Sequence, residues 1–383
     1  MTISTALKAR QGVALLSSTT KQTLVRCIMA MYKPDRRSTR YQILAMVRWH
    51  LPDTLITILL MVVLLGVGQT KPVLEASAAP HSRIDIPIID AHSQVPFGPE
   101  RLEKVAQLMN RGGIACIILS SKGPVKAKEL LAFASKYPGR IVPAVRTKCR
   151  EYQENDTKGF EEFLEKQIQI RQFGAMAEIL LYHARKGLRQ ERAPEVIVYP
   201  DDERVHIALS LAKKNRWPFV VHIEFKRAGR LRDIFMKKFE ALLDEHSKHP
   251  FVLMHMGQLD HRDVRRLIEN HGNIYFITSH STYIEASPIA DLKESEDPRT
   301  NMFEGNRLSP AWKKLMIEYP ERFILGFDNV WSEHWGEYYL KQINIWRKGL
   351  QELTQEAAHA LAHRNAERLW TLPPLKTGSL STE

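Results

Sequence analysis

Histidines, carboxylates and one amide stand at the ends of short apolar runs along this chain. Asp90-Ala91-His92-Ser93-Gln94 closes the first run, and Glu178 lies within Ala-Met-Ala-Glu-Ile-Leu-Leu. His222 ends Phe-Val-Val-His, His255 ends Val-Leu-Met-His, and Asp328 ends Ile-Leu-Gly-Phe-Asp. Neutral imidazole and carboxylate oxygen are the ligands that zinc, manganese or iron takes. Each residue alone has an ordinary reading: a strand-end histidine is commonly a hydrogen-bonded structural group, and Asp328 is placed to cap a following helix. Their recurrence at the ends of five runs points instead to a metal-hydrolase site. Cys27, Cys116 and Cys149 show no C-x-x-C spacing, which excludes a thiolate zinc site and a disulfide framework.

The elements that must position these residues alternate in type. Eight apolar runs read as strands: Ile86–Ala91, Ile114–Leu119, Ile141–Val145, Ala175–Leu181, Phe219–His222, Phe251–His255, Ile274–Thr278 and Phe323–Phe327. Helical patterns fall between and after them, at Glu100–Arg111, Val125–Tyr137, Phe160–Phe173, Asp202–Asn215, Leu231–His246, Arg262–Asn270, Pro310–Tyr319 and Glu333–Gly349. Strand and helix alternating eight times is the plan of an α/β fold, a (β/α)8 TIM-like barrel, whose active site is built at the C-terminal ends of its strands. We therefore expect a barrel domain over 81–372, a helical tail Gln355–Trp370 packed on its outside, and a flexible end at 373–383.

Residues 1–80 read as a leader. Ten Lys and Arg against three acids leave +7 there, so only +5 of the formal +12 belongs to the rest. A leader that carries most of the charge excess argues for targeting, and no nucleic-acid-binding pattern appears elsewhere. Leu55–Gly68 is uncharged but shorter than the roughly 20 residues that span a bilayer. With Arg48 before it and Ala76-Ser77-Ala78 after it, this segment reads as a signal-peptide core with cleavage near Ala78. A periplasmic or secreted protein is expected, or a membrane-anchored one if the leader stays uncleaved. The long basic stretch upstream suggests a translation start at Met46. N-terminal sequencing of the exported form is expected to begin near Ala79; a start upstream of Leu55 would contradict cleavage.

The order Asp90-x-His92, Glu178, His222, His255-x-Gly257 and Asp328, with the terminal Asn365-Ala366-Glu367-Arg368-Leu369, resembles the amidohydrolase superfamily. It is closest in kind to the amidohydrolase-related branch that includes aminocarboxymuconate-semialdehyde decarboxylase. The resemblance spans roughly Ile84–Trp370 and implies a barrel with one or two divalent ions, an activated water and an aspartate proton shuttle on the last strand. The family's first strand normally reads His-x-His, whereas His92-Ser93-Gln94 replaces one imidazole by an amide, which argues against a binuclear site. Two mononuclear sets follow. In one, His92, His222 and Asp328 hold the ion, Gln94 adds a weak carbonyl ligand or an outer contact, and His255 orients water or substrate. In the other, Glu178, His222 and His255 hold it and Asp328 is the free general base. The first is preferred because His92 and Asp328 are both retained.

The resulting expectation is an exported hydrolase with one divalent ion, zinc ahead of manganese or iron. Water activated by the ion would attack an ester, lactone or amide of a small molecule, with Asp328 and His255 as catalytic residues. Decarboxylation on the same scaffold and a metal-free binding barrel are the alternatives. Arg146, His183, His280 and Trp331 are the expected substrate contacts. Lys148, Arg150, Arg185 and Tyr283 lie near them in sequence, and Ser279–Asn306 reads as a loop over the mouth. Partners other than the substrate are not expected, apart from a possible homodimer for which Trp335, Trp346 and Trp370 are candidate contacts.

Overall fold

The expected alternation of strand and helix is present in the computed structural model of the chain, which describes residues 86–185, 195–281 and 300–375. The leader with its apolar segment 55–68, the Ala76–Ala78 motif, Met46, Tyr283, most of the loop 279–306 and the end of the tail lie outside the described residues. The chain divides into two units, Met1–Ser82 and Arg83–Glu383, and all described residues belong to the second. Among them no helix is long and apolar enough to cross a membrane.

Strands β1 (Ile88–Val95), β2 (Ile114–Ser121), β3 (Ile141–Val145) and β4 (Ala175–Met176) pair in parallel in that order. The fourth apolar run resumes as β5 (Ile179–His183), which carries a short antiparallel partner, β6 (Val196–Ile197), at its outer edge. From β5 the parallel order continues through β7 (Phe219–Ile223), β8 (Phe251–Leu253) and β9 (Ile274–Ile277). A hairpin, β10 (Phe303–Glu304) and β11 (Arg307–Leu308), precedes the last barrel strand, β12 (Phe323–Ile324), which pairs with β9. The seam closes through the backbone: Ala91 N donates to Leu325 O at 3.0 Å, Asp328 N to His92 O at 2.8 Å and Gln94 N to Asn329 O at 2.8 Å. Gly326 permits this approach, since a Cβ there would lie 2.7 Å from Ile277 and 3.3 Å from the His92 amide nitrogen. A closed parallel barrel follows, with β6 as a short antiparallel addition beside β5.

Helices α1 (Glu103–Gly112), α2 (Ala127–Ser135), α3 (Arg150–Gln153), α4 (Thr157–Ile168), α5 (Glu203–Asn215), α6 (Arg232–Glu245), α7 (His261–Asn270), α8 (Pro310–Glu318) and α9 (Glu337–Gln351) surround the strands. Several start on side-chain caps: Asp156, Asp202 and Asp260 each accept a first-turn backbone N–H. Strand residues alternate between two cores. Ile88, Ile117, Val145, Val221 and Leu253 face the helices; Ile89, Ala91, Cys116, Ile118, Ala144, Val220, Val252, Ile277 and Ile324 fill the barrel interior.

The C-terminal segment departs from expectation. Its helices α10 (Gln355–His359) and α11 (Asn365–Leu369) flank a π turn, Ala360–Arg364, and Ala366, Leu369 and Trp370 join the interior cluster. It plugs the end of the barrel opposite the strand C-termini instead of lying on the outside, because three apolar side chains there complete the bottom layer of the core. Trp335, Trp346 and Trp370 are each at most 4% exposed, so none offers a surface to a second copy. Cys116 and Cys149 are free.

Candidate metal centre

A fault in the first strand aims two candidate residues into the barrel. Ile89 and Ala91 face the interior, and the register then shifts between Asp90 and Ser93. This bulge turns His92 and Gln94 inward as well. Asp90 faces out: its carboxylate accepts hydrogen bonds from the Ser93 and Tyr339 hydroxyls, at 2.7 and 2.8 Å, and from the Phe327 amide at 3.0 Å. Burial pushes its pKa up to about 6 against these donors. Asp90 therefore ties the seam to α9 and takes no part in the centre.

Glu178 sits in the break between β4 and β5, where Thr147 Oγ donates to its backbone carbonyl at 2.5 Å. Its two carboxylate oxygens have different company. Oε1 accepts from Lys148 Nζ at 2.5 Å and from Gln94 Nε2 at 2.8 Å, with His92 Nε2 3.8 Å away. Oε2 lies 2.8 Å from His222 Nδ1. Burial alone would raise the pKa of Glu178, but Lys148 and His222 outweigh it and hold the carboxyl well below the ordinary range. His222 is gripped from both sides, since its Nε2 is 3.3 Å from Glu224 Oε1. Burial would lower its pKa, yet the two carboxylates push it up to about 9. Glu224 is fully buried and anchored by the Ala184 amide at 2.8 Å.

Across the mouth, Asp328 Oδ2 lies 3.1 Å from His280 Nε2 and 3.3 Å from His255 Nε2. Its Oδ1 is 3.7 Å from His92 Nε2 and has no hydrogen-bond partner among the described residues. Burial opposes its ionisation, but His280 and His255 keep the carboxylate ionised, far below its ordinary pKa. His255 Nδ1 is bonded to Ser279 Oγ at 2.7 Å. Burial and neighbouring His280 hold His255 neutral, well below the usual imidazole range.

Backbone strain gathers at these residues. His255, Met256, Gly257 and Gln258 have consecutive φ values of 52°, 51°, 63° and 58°, while His280 and Asp328 are both at 49°. Non-glycine residues in this left-handed region store energy, and such residues cluster at functional sites. Gly257 is required within the bend: a Cβ would lie 2.8 Å from Phe225 and 2.9 Å from Leu253. The bend ends β8 early and turns His255 towards Asp328.

The structure brings His92, Gln94, Glu178, His222, His255, His280 and Asp328 together. Donor atoms of Glu178, His222 and His255 lie within 4.8 Å of one another, as do those of His92, Glu178 and Asp328, of His255, His280 and Asp328, and of His183, His222 and Glu224. The set His92, His222 and Asp328 is not among these convergent groups of described residues. Gln94 uses its NH2 group on a carboxylate, which can only accept, so its contribution is a donor.

Of the expected substrate contacts, His183 packs its ring 5.4 Å from that of His222, and the Trp331 ring lies under Lys122 Nζ at 3.3 Å. Arg146 is spent elsewhere: its guanidinium donates to the backbone carbonyls of Lys148 and Gly123 at 2.8 and 3.1 Å, tying the loops after β2 and β3. A polar side chain with such partners in reach satisfies them before it reaches a substrate. Arg150 pairs with Glu154 on the surface, and Arg185 is exposed. Glu224, Ser279 and the inward course of Lys148 escaped the sequence. Only Glu224 left a signal, standing two residues after His222, which on a strand means the same face.

The family model for amidohydrolases matches residues 175–372. An amidohydrolase from Burkholderia multivorans crystallised with bound HEPES is 14% identical, covers 75% of this chain and 100% of its own, and has a TM-score of 0.46. Another crystal form of an amidohydrolase from that organism, with bound zinc, gives 14%, 75%, 100% and 0.44. The phosphotriesterase homology protein from Escherichia coli, with phosphate in its active site, is 13% identical and covers 74% of this chain and 99% of its own, with a TM-score of 0.47. No curated protein matches.

Proposed function

The chain belongs to the amidohydrolase family, and from that premise we propose that it is an exported hydrolase with one divalent ion, zinc ahead of manganese or iron. Its substrate would be an ester, lactone or amide of a small molecule. The observation that carries this reading is the convergence of Glu178, His222 and His255 beside Asp328, whose buried Oδ1 has no hydrogen-bond partner among the described residues. Two imidazoles and a carboxylate fit such an ion. His222 would hold it through Nδ1, because Glu224 at Nε2 takes that ring proton and selects the tautomer. When bound, the ion supplies Lewis acidity and lowers the pKa of water towards about 7.

The remaining work falls to the chain. Asp328 accepts a proton at Oδ1 from the attacking water and returns it to the leaving group, while His280 keeps Oδ2 in place. His183, His280 and Trp331 are the proposed substrate contacts. The set with Asp328 as ligand is the poorer choice, since His92, His222 and Asp328 are not among the convergent groups of the described residues. Export rests on the apolar segment 55–68 and Ala76-Ser77-Ala78.

The test is to strip the full-length protein with a chelator, reload it with zinc and assay a panel of esters, lactones and amides. One bound equivalent and zinc-dependent hydrolysis are expected. Equal hydrolysis by the stripped protein would overturn metal dependence. Carbon dioxide release from carboxylated substrates without hydrolysis would make the reaction a decarboxylation, and no ion with no turnover would leave a binding barrel.

A further inference from the structure

Glu178 divides the centre into two halves that share it. On the Oε2 side are His222 and His255, the donors assigned above to one ion. On the Oε1 side, His92, Glu178 and Asp328 form a second convergent, fully buried set. Two donor sets that share a carboxylate suit two cations, and the chain itself brings one. Lys148 Nζ lies 2.5 Å from Glu178 Oε1, with its side chain only 21% exposed. The loop that carries it is tied on both sides, by Thr147 Oγ on the Glu178 carbonyl and by Arg146 Nε on the Lys148 carbonyl.

We propose that Lys148 is the resident cation of the Oε1 half: its ammonium takes the charge-balancing place of a second metal ion and restricts the centre to one. The chemistry of the neighbours agrees. Gln94 aims NH2 at the same oxygen, so both polar groups beside His92 on that side are donors, where a metal ion needs acceptors. A divalent ion entering between His92, Glu178 and Asp328 would meet a like charge already bonded to Glu178, in a buried setting where repulsion is weakly screened. The Oε2 half escapes this conflict, because His222 Nδ1 and Glu178 Oε2 face each other without the ammonium between them.

The inference rests on the reading that Glu178, His222 and His255 hold one ion, and zinc titration of the full-length, chelator-stripped protein separates the two. Wild type is expected to take up one equivalent, Lys148→Gln two, and Lys148→Arg, which keeps the positive charge, one. The second binding event in Lys148→Gln should be roughly 100-fold tighter than any second event in wild type. Melting followed by circular dichroism confirms that each variant is folded, and Lys148→Met, which adds no hydrogen-bonding group, should repeat the gain if the amide variant unfolds. One equivalent in both wild type and the neutral variants, with unchanged affinity, would overturn the role of Lys148 and leave the one-ion reading standing. None in wild type but one in Lys148→Gln would keep the role of Lys148 and overturn the one-ion reading; none in either would overturn both.

Discussion

Asp328→Asn is expected to lower hydrolytic turnover by about 10³-fold while zinc content stays at one equivalent. Asn keeps the shape of Asp and can still accept from His280, so the bend at φ 49° and the His255 and His280 contacts have a partner of the same size. What it loses is the capacity to take a proton at Oδ1, the oxygen that points at His92 without a hydrogen-bond partner among the described residues. A metal ligand of this type would behave differently, because replacing it would remove the ion together with the activity. Parallel elemental analysis and turnover measurements therefore decide between base and ligand. Turnover within tenfold of wild type would sink the assignment as general base, and loss of the ion would restore Asp328 to the ligand set.

His222→Ala carries the second large effect. Zinc content should fall below about a tenth of an equivalent, since this residue supplies the nitrogen between Glu178 and the other imidazole ligand, His255. The variant should also be less stable without any metal. In the ion-free protein the imidazole, with its pKa pushed up to about 9, is a buried cation between Glu178 and Glu224. Removing it leaves two buried carboxylates short of a partner, at a cost of about 3 kcal/mol, or roughly 5 °C in a melt of a domain this size. Thermal melting of both stripped proteins checks this. Equal melting temperatures would show that Lys148 and the Ala184 amide alone satisfy the two carboxylates, and full zinc content would remove His222 from the ligands.

Much of the centre was legible before any coordinates. Eight apolar runs and the polar residues that end them suffice to place His92, Glu178, His222, His255 and Asp328 at one mouth, because parallel strands of a barrel all present their C-terminal ends on the same side. Period-two alternation separates the residues that face the interior from those that face the helices for most strands, and Val220 with His222 is a clear case. It fails at the first strand. Asp90, His92 and Gln94 share one parity in sequence, yet Asp90 bonds Tyr339 on the helix side while the other two enter the centre, because a bulge costs one residue of register and no local residue pattern announces it. Arg146 and Lys148 show the same limit. Both are cations two residues apart in one loop; the first turned to backbone carbonyls and the second to a buried carboxylate, a choice made by which acceptors the fold leaves within reach.

What the sequence alone determined is therefore the alternation of strand and helix, the interior stripe of most strands and the identity of the residues at their ends, all of which depend on short-range periodicity and on chain order. Tertiary structure decided the rest: the bulge that aims His92, the left-handed bend that aims His255, the tail that fills the barrel floor, and the partition of Glu178 between an imidazole and an ammonium. These depend on long-range contacts, where a buried polar group must find whichever partner closure of the barrel has brought within about 3 Å.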